Sequence, residues 1–312
     1  AFTMYPLAMG IFHQANLPKR LVAGSIALGS WTFGMTALPG TPQIQNIIPT
    51  EYFGTTATAA PLLGILSGLL MFVGGTYYLN REAKKAKENG EEFEIGEEDE
   101  KHVNTDVDED LPNFFLSILP LITIVVLLNV FKVNINVSLL SGILLALAMF
   151  YKRIDNPIET INTGSKGSLI AIMNTSAAVG FGTIVRNVGG FDVLVEGLSK
   201  VTLGNPYLYA AISTNVLAGA TGSASGGMGI ALAALAEQYL GMGGNPELLH
   251  RVVSVASGGL DALPHNGAVV TLLIITGLTH KKAYKDIFMV AVAIPFLVGM
   301  FAVGLASTGL LG

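Results

Sequence analysis

The amino-acid sequence predicts an all-α integral membrane protein in which some helices are interrupted within the bilayer. Hydrophobic residues make up 51% of the chain and charged residues only 12%, whereas a soluble domain carries about 25% charge. The mean hydropathy is positive, at +0.58. Some apolar segments reach the roughly 20 residues that a membrane-spanning helix needs. Others are shorter and contain Gly, Pro, Ser and Asn, which is typical of helices broken beside a cavity.

Apolar segments follow one another along almost the whole chain. They cover residues 1–16, 21–36, 57–79, 111–131, 134–151, 167–185, 206–222, 228–240, 250–262, 266–279 and 286–308. Segments 57–79 and 286–308 are long enough to cross the membrane alone. The first segment is too short to do so and lacks the basic flank of a signal peptide. We therefore expect it to be the end of a helix, and the chain to lack the N-terminal part of the protein.

The charged residues are concentrated in one acidic stretch. Residues 81–110 contain 13 acidic and five basic residues, although the net charge of the whole chain is only −5. Such a run predicts a solvated linker. The remaining sequence shows no basic patch interleaved with aromatic residues, so nucleic acid is not an expected partner.

The sequence contains no pattern that is typical of a metal centre or of an active site. Cysteine is absent, and no His-Glu-x-x-His run occurs. His13, His102, His250 and His280 lack the spacing of metal ligands. We therefore predict no enzyme, no cofactor and no metal site.

The distribution of Lys and Arg predicts how the chain threads through the membrane. Four basic clusters, Lys19-Arg20, 81–87, Lys152-Arg153 and 281–285, are assigned to the cytoplasmic side. Segment 21–50 then runs outward and 57–79 returns, and segments 111–131 and 134–151 likewise go out and back. A hairpin at 165–190 enters and leaves on the cytoplasmic face. Segment 206–240 then runs outward, 250–279 returns, and 286–308 runs outward again. The expected location is the cytoplasmic (inner) membrane, as a multi-pass protein.

A short internal repeat supports this path. Gly-Met-Thr-Ala-Leu-Pro at 34–39 matches Gly-Leu-Asp-Ala-Leu-Pro at 259–264, and the predicted orientation makes the two copies run in opposite directions. Opposed copies of one module are typical of inverted-repeat secondary transporters. We predict the C-terminal part of repeat 1 at 1–80, an acidic cytoplasmic linker at 81–110, and repeat 2 at 111–312.

The first predicted break is Thr36-Ala-Leu-Pro-Gly-Thr-Pro-Gln43. Its two prolines remove backbone donors, and Gly40 permits unusual dihedral angles. An unwound helix of this kind offers carbonyl groups to a cation and a half-helix N-terminus to an anion. The alternative is an ordinary turn between two helices outside the membrane.

The second predicted break, at 257–267, contains Asp261 and His265. Ionisable residues inside an apolar segment are costly and mark ion or proton pathways. Asp261 is expected to bind a cation or a proton, and a histidine such as His265 can exchange a proton near neutral pH. The alternative is a structural Asp261–His265 pair that caps the break.

Two further segments, at 174–182 and 221–227, are rich in small and polar residues. Both suit a hairpin tip or a chain crossing where backbone amides approach a ligand. The alternative is a small-residue face for helix packing, a role that Gly and Ser serve equally well.

Several stretches resemble one known family. Residues 257–273, which read Ser-Gly-Gly-Leu-Asp-Ala-Leu-Pro-His-Asn-Gly-Ala-Val-Val-Thr-Leu-Leu, and Gly-Leu-Thr-His-Lys-Lys at 277–282 resemble the gluconate-permease family of the ion-transporter superfamily, in the branch of 3-hydroxybutyrate permeases. Residues 38–43 and 221–227 are similar to the same branch. The resemblance implies proton symport of a small carboxylate such as gluconate or a short hydroxy acid, two inverted repeats that each contain a re-entrant hairpin and a broken helix, and a homodimer.

The resulting hypothesis is a proton-coupled symporter for a small organic anion, with Asp261 or His265 carrying the proton. The candidate substrate-binding residues are Thr36, Gly40, Thr41, Gln43, Asn174, Thr175, Ser176, Thr221, Ser223, Ser225, His265 and Asn266. A Na⁺-coupled carboxylate transporter is the main alternative, because unwound helices also coordinate Na⁺. A channel is a further alternative.

Overall fold

The computed structural model describes residues 4–94, 112–154, 156–186 and 204–310, with a few more residues between 188 and 200. Within these ranges the chain forms helices and no β-strand. The helices are α1 (Met4–Gln14), α2 (Arg20–Trp31), α3 (Ile44–Phe53), α4 (Pro61–Glu88), α5 (Phe114–Asn129), α6 (Ile135–Phe150), α7 (Pro157–Arg186), α8 (Pro206–Thr221), α9 (Ala224–Gly241), α10 (Pro246–Ser257), α11 (Gly267–Thr276), α12 (His280–Phe288) and α13 (Ile294–Ser307). The prediction of an all-α membrane fold is confirmed.

Local sequence sets many of the helix ends. Proline stands at the start of α4, α8 and α10. Its missing N–H group costs nothing there, because N–H groups in the first turn have no partner within the helix. Within the described residues, six helices are capped by an asparagine side chain that accepts a backbone N–H bond. These residues are Asn113, Asn134, Asn156, Asn205, Asn245 and Asn266. Glycine in the left-handed conformation ends α3, α8 and α11.

Three of the described helical stretches are long and apolar enough to cross a membrane. They are Pro61–Glu88, Ile135–Arg153 and His280–Ser307. The third consists of α12 and α13, which are joined by a π-helical turn at Met289–Ala293. The helices α5 and α11 are apolar but shorter. Helix α4 continues to Glu88, so the first residues of the predicted linker extend a membrane helix; residues 95–110 lie outside the described part.

The structure differs from the predicted chain path in two segments, the hairpin predicted at 165–190 and the single crossing predicted at 206–240. Residues 174–182, expected at a hairpin tip, lie inside the continuous helix α7, so the turn predicted there is wrong. At about 1.5 Å per residue the 30 residues of α7 extend about 45 Å, enough to cross a bilayer. Segment 206–240, predicted to run outward as one crossing, instead folds back as α8 and α9 around Gly222 and Ser223.

The two broken helices, α2–α3 and α10–α11, run in opposite directions. At one end, the backbone N–H of Ala60, which follows α3, donates to Glu247 Oε2 in the first turn of α10, at 2.9 Å. At the other end, a Cβ at Gly277, just after α11, would lie 3.7 Å from Nζ of Lys19, just before α2. Each half-helix therefore lies beside the half-helix of the other copy that points the opposite way.

A charged cluster joins the ends of α2, α4 and α12 to the start of the acidic linker. Nη1 of Arg20 donates to Asp286 Oδ2 at 2.8 Å, and its Nε donates to Glu91 Oε2 at 2.9 Å. The hydroxyl of Tyr78 donates to the other carboxylate oxygen of Asp286, also at 2.8 Å. The backbone N–H of Phe93 donates to the side chain of Asn16 at 3.0 Å. Residues 91–94 thus contact the ends of several helices.

Acidification is expected to release this segment. The hydrogen bond from Arg20 lowers the pKa of Glu91 below its usual 4.5, so the contact is complete above pH 4.5 and is lost as the pH falls through the lowered value. Because Glu91 is partly exposed, the contact is worth at most about 1 kcal/mol, or about a fivefold change in local opening. Hydrogen exchange of the Phe93 amide should speed up by this factor in Glu91→Gln at neutral pH. The neighbouring Glu92→Gln removes the same charge and should leave this rate unchanged; equal rates in both variants would contradict the assignment.

Candidate functional site

The first break lies between α2 and α3. Helix α2 is followed by a π-helical turn at Phe33–Ala37, after which the chain becomes extended. Gly40 adopts a φ of 77°, a conformation that favours glycine. Its N–H donates to the carbonyl of Ala57 at 2.8 Å, and its carbonyl accepts from Asn129 Nδ2 at 2.8 Å. The predicted interruption of this helix is present and is held from two sides.

The second break separates α10, which ends at Ser257, from α11, which begins at Gly267. The side chain of Asn266 organises it. Its Oδ1 accepts two N–H groups in the first turn of α11, at 2.6 and 3.1 Å, and its Nδ2 donates to the carbonyl of Asp261 at 2.8 Å. The predicted interruption of this helix is also present.

Both breaks contain the same asparagine contact. Asn46 Nδ2 donates to the carbonyl of Thr41, and Asn266 Nδ2 donates to that of Asp261; both distances are 2.8 Å and both span five residues. Each amide also donates to a second chain segment, at Ala57 and Gly222 respectively, again at 2.8 Å. The two contacts are alike in geometry, but Asn46 and Asn266 are 220 residues apart, whereas the copies at 34–39 and 259–264 are offset by 225 residues, so the contacts are not equivalent positions of that repeat.

The tip of the α8–α9 hairpin lies against the second break. His265 Nε2 donates to the carbonyl of Gly219 at 2.9 Å, and Asn266 binds the carbonyl of Gly222. A Cβ at Gly222 would lie only 3.0 Å from the ring of His265, so a larger residue would separate the two segments. The predicted small-residue segment 221–227 is therefore a hairpin tip attached to the break.

The two breaks also touch each other. A Cβ at Gly258 would lie 2.8 Å from Cγ2 of Thr36, so the absence of a side chain at position 258 lets the helices meet. A Cβ at Gly259 would overlap the side-chain oxygen of Asn215 on α8. Glycines in the second break thus bring together the first break, the hairpin and the segment that leads to Asp261.

Asp261 is the buried acid at this junction. Its side chain is only 6% exposed, and its Oδ1 has no hydrogen-bond partner. The side-chain oxygen of Asn215, which lies against Gly259, is likewise buried and unpartnered. Buried polar groups normally have partners, and an intramembrane carboxylate without one is costly. Each of these oxygens can accept a proton-donating group or bind a small cation, and both belong to residues at the second break or in contact with it.

Two of the four predicted substrate residues on the first break, Thr36 and Thr41, bind a nearby backbone carbonyl with their side chain. Thr36 is 1% exposed, and its hydroxyl donates to the carbonyl of Thr32 at 3.1 Å. The hydroxyl of Thr41 donates to the carbonyl of Leu38, also at 3.1 Å. Gln43 is exposed just before α3. Gly40 contributes its backbone to the turn described above.

The remaining predicted residues are divided between the hairpin and α7. The hydroxyl of Thr221 donates to the carbonyl of Leu217 at 2.8 Å, and Ser223 caps α9 by accepting from the N–H of Gly226. Ser225 is half-buried in the first turn of α9. The other three predicted residues belong to α7: Ser176 is exposed there, and the side chains of Asn174 and Thr175 lie outside the described part. The substrate roles of all these residues stay predictions.

The sequence analysis did not single out Arg251, which lies on α10 and is fully buried. Its guanidinium donates to the carbonyls of Ala37, Ala57 and Ala59 and to Oδ1 of Asn46, at 2.8–3.2 Å. Arg251 therefore links α10, which leads to the second break, to the first break. The sequence feature that could have identified Arg251 is its position at the start of an apolar, broken membrane segment, where a charged residue indicates a functional or bridging role.

Helices that cross the membrane, two opposed broken helices and a hairpin at their junction define a multi-pass α-helical membrane transporter. Comparison with known proteins then identifies its family. Residues 23–309 match the Na⁺/H⁺ antiporter family, and the chain belongs to this family. It is 39% identical to YxjC of Bacillus subtilis (strain 168), described as an uncharacterised transporter, over 93% of this chain and 70% of that protein. No solved structure matches the chain.

The family assignment corrects the resemblance that was drawn from the sequence. The chain was expected to be similar to gluconate permeases, but the match over residues 23–309 places it among Na⁺/H⁺ antiporters. The resemblance depended most on the second break, and a Gly- and Pro-containing interruption with a polar turn is needed wherever a membrane helix unwinds. Such a motif indicates the architecture of a carrier and discriminates poorly between families.

Proposed function

We propose that the chain exchanges Na⁺ for H⁺ across the membrane and that Asp261 is the group that binds the two ions alternately. The observation that carries the proposal is the position of this buried, unpartnered carboxyl oxygen beside the meeting point of two opposed broken helices. The family supports the same pair of ions. Unwound helices at such a position are the usual ion sites of secondary transporters.

Exchange at one carboxylate follows from competition. A proton leaves Asp261 when Na⁺ binds to the carboxylate, and the reverse step restores the acid and releases Na⁺. The group is neutral in both loaded forms, which lowers the cost of moving it through a low-dielectric environment. The side-chain oxygen of Asn215 has no partner and lies against Gly259, two residues before Asp261. It is a candidate for a further neutral ligand of Na⁺.

Cation-coupled transport of a small carboxylate is a second candidate, with H⁺ or Na⁺ as the coupling ion. One observation favours it: the N-termini of α9 and α11 meet where Asn266 binds Gly222. Helix N-termini carry partial positive charge and attract anions. In this case the carboxylate would bind beside the hairpin tip, near Ser223 and Ser225.

Proton movement in vesicles tests the proposal. The purified full-length protein is reconstituted in vesicles that contain Na⁺ and a pH-sensitive dye, and these are diluted into Na⁺-free buffer. Na⁺ efflux should acidify the lumen, whereas vesicles loaded with choline should show no change. Acidification that requires an added carboxylate would instead support the second candidate with H⁺ as its coupling ion. Absence of acidification under all these conditions would contradict Na⁺/H⁺ exchange and H⁺-coupled transport, and uptake of a labelled carboxylate driven by a Na⁺ gradient tests the Na⁺-coupled form.

A further inference from the structure

A buried cation, Arg251, lies against the first break and the loop that joins α3 to α4. All five N–H donors of Arg251 are used: Nε and Nη2 bind the carbonyl of Ala59, Nη1 binds the carbonyl of Ala37 and Oδ1 of Asn46, and Nη2 also binds the carbonyl of Ala57. These four acceptors are uncharged oxygens. A set of carbonyl and amide oxygens around one point is also what an unwound membrane helix offers to Na⁺. The guanidinium thus occupies a site with the chemistry of a cation site.

The surrounding chain is built to keep the guanidinium there. Helix α4 approaches it at Gly64, where a Cβ would lie 2.6 Å from the carbonyl of Ala37 and 3.1 Å from Nε of Arg251. The carbonyl of Ala57 also accepts from Gly40 and from Asn46, both at 2.8 Å. The neighbouring His250 contacts Asn46 Oδ1 at 3.3 Å. A buried cation is retained only when such contacts replace its hydration.

The second break has the opposite arrangement. Its carbonyls bind side-chain donors: Tyr284 donates to Ala262 at 3.1 Å, His280 to Pro264 at 2.9 Å, and Asn266 to Asp261 at 2.8 Å. The charged group in the middle of this break is the carboxylate of Asp261, whereas the aligned position in the first break is the neutral Thr36. One break therefore holds a fixed cation, and the other holds an anion with a free oxygen.

We propose that Arg251 is a specificity-determining residue: its guanidinium takes the place of a transported cation in the first break and restricts ion binding to the second. The number of ions follows from this and rests on the function proposed for Asp261. An inverted repeat offers two breaks, and Arg251 leaves one of them available to Na⁺. Because Arg251 lies on α10, it also holds the helix that leads to Asp261 in position against the first break.

Removal of the guanidinium should leave a site that an added cation can fill. The Arg251→Ala variant of the full-length protein is purified in detergent, and its thermal unfolding is followed in 0 to about 20 mM guanidinium chloride. Choline chloride at the same ionic strength is the control. The variant should unfold on the order of 5 °C below the wild type, and guanidinium should restore at least half of that loss. The wild type should not respond, since its site is filled.

Sodium binding provides a measurement that a purely structural role would not change. Asp261→Asn should bind no Na⁺, whereas the double variant Arg251→Ala/Asp261→Asn should bind Na⁺ again at the vacated first break. If the double variant binds no Na⁺, the proposal for Arg251 is wrong, even where guanidinium restores its stability. If Asp261→Asn alone keeps the Na⁺ binding of the wild type, the function proposed for Asp261 fails, and the guanidinium response still decides the role of Arg251.

A pair of matched variants covers the case in which Arg251→Ala does not fold. Lysine keeps the positive charge and three of the donors, and methionine has a similar length without either. Arg251→Lys should give a higher yield of monodisperse protein than Arg251→Met. Equal yields in the two variants would show that the first break does not need a cation, and the proposal would be overturned.

Discussion

Replacement of Asp261 by asparagine is expected to reduce Na⁺-driven proton movement to the rate of empty vesicles. Asparagine has nearly the same shape as aspartate but can neither release a proton nor supply the negative charge that binds Na⁺. The backbone contact to Asn266 uses the carbonyl of residue 261 and is unaffected by the change. The measurement is the acidification of Na⁺-loaded vesicles described above.

The same substitution should not destabilise the fold. A buried oxygen without a partner costs about 1–3 kcal/mol in a neutral group and more in a charged one, and the neutral amide removes part of that cost. Thermal unfolding of Asp261→Asn should therefore occur at or above the temperature of the wild type. A large loss of stability would indicate a structural role for the carboxylate and would leave the loss of transport without a chemical explanation.

His265→Gln distinguishes the two residues that the sequence proposed for the proton. His265 is exposed, and its ring binds the carbonyl of Gly219 at the hairpin, so its contacts are not those of the predicted Asp261–His265 pair. Glutamine can still donate to this carbonyl. The variant should keep Na⁺-driven proton movement, with a reduced rate. Loss of transport here, together with activity in Asp261→Asn, would transfer the proton to His265.

The sequence was sufficient to locate both breaks, because proline and glycine act directly on the backbone. Residues 36–43 and 257–267 cannot form a regular helix whatever they contact, and the structure interrupts the chain at both. Asp261 was proposed for a related reason, since a carboxylate is conspicuous in an apolar segment, and its role stays a prediction. These features are local, and a single sequence contains the information that decides them.

The features that the sequence analysis did not predict correctly depend on tertiary contacts. Small residues at 174–182 and at 221–227 are compatible with a turn or with a packing face; the former lie in α7, and the latter form the tip of the hairpin. The difference lies in Gly222 and Ser223, which end one helix and cap the next. Arg251 contacts carbonyl groups about 200 residues away in the chain, and nothing in its immediate sequence specifies those partners.

Gly227→Ala is expected to have the largest effect on the hairpin. Helices α8 and α9 cross so closely that a Cβ at position 227 would overlap the backbone N and Cα of Ala218. Backbone atoms inside a helix cannot move aside as a flexible side chain can. The two helices would have to separate, at a cost of at least about 1–3 kcal/mol, and the contacts of Gly219 and Gly222 with the second break would be lost. Thermal unfolding and the yield of monodisperse protein measure the effect.

Gly229→Ala is the matched control, because it lies two residues further along α9 and a Cβ there has no atom within 4 Å. Alanine also favours a helix over glycine by up to about 1 kcal/mol, so this variant should be as stable as the wild type or more so. If Gly227→Ala behaved in the same way, α8 and α9 could not be in contact at Ala218. The hairpin would then be open, and the junction of its tip with Asn266 and His265 would have to be abandoned.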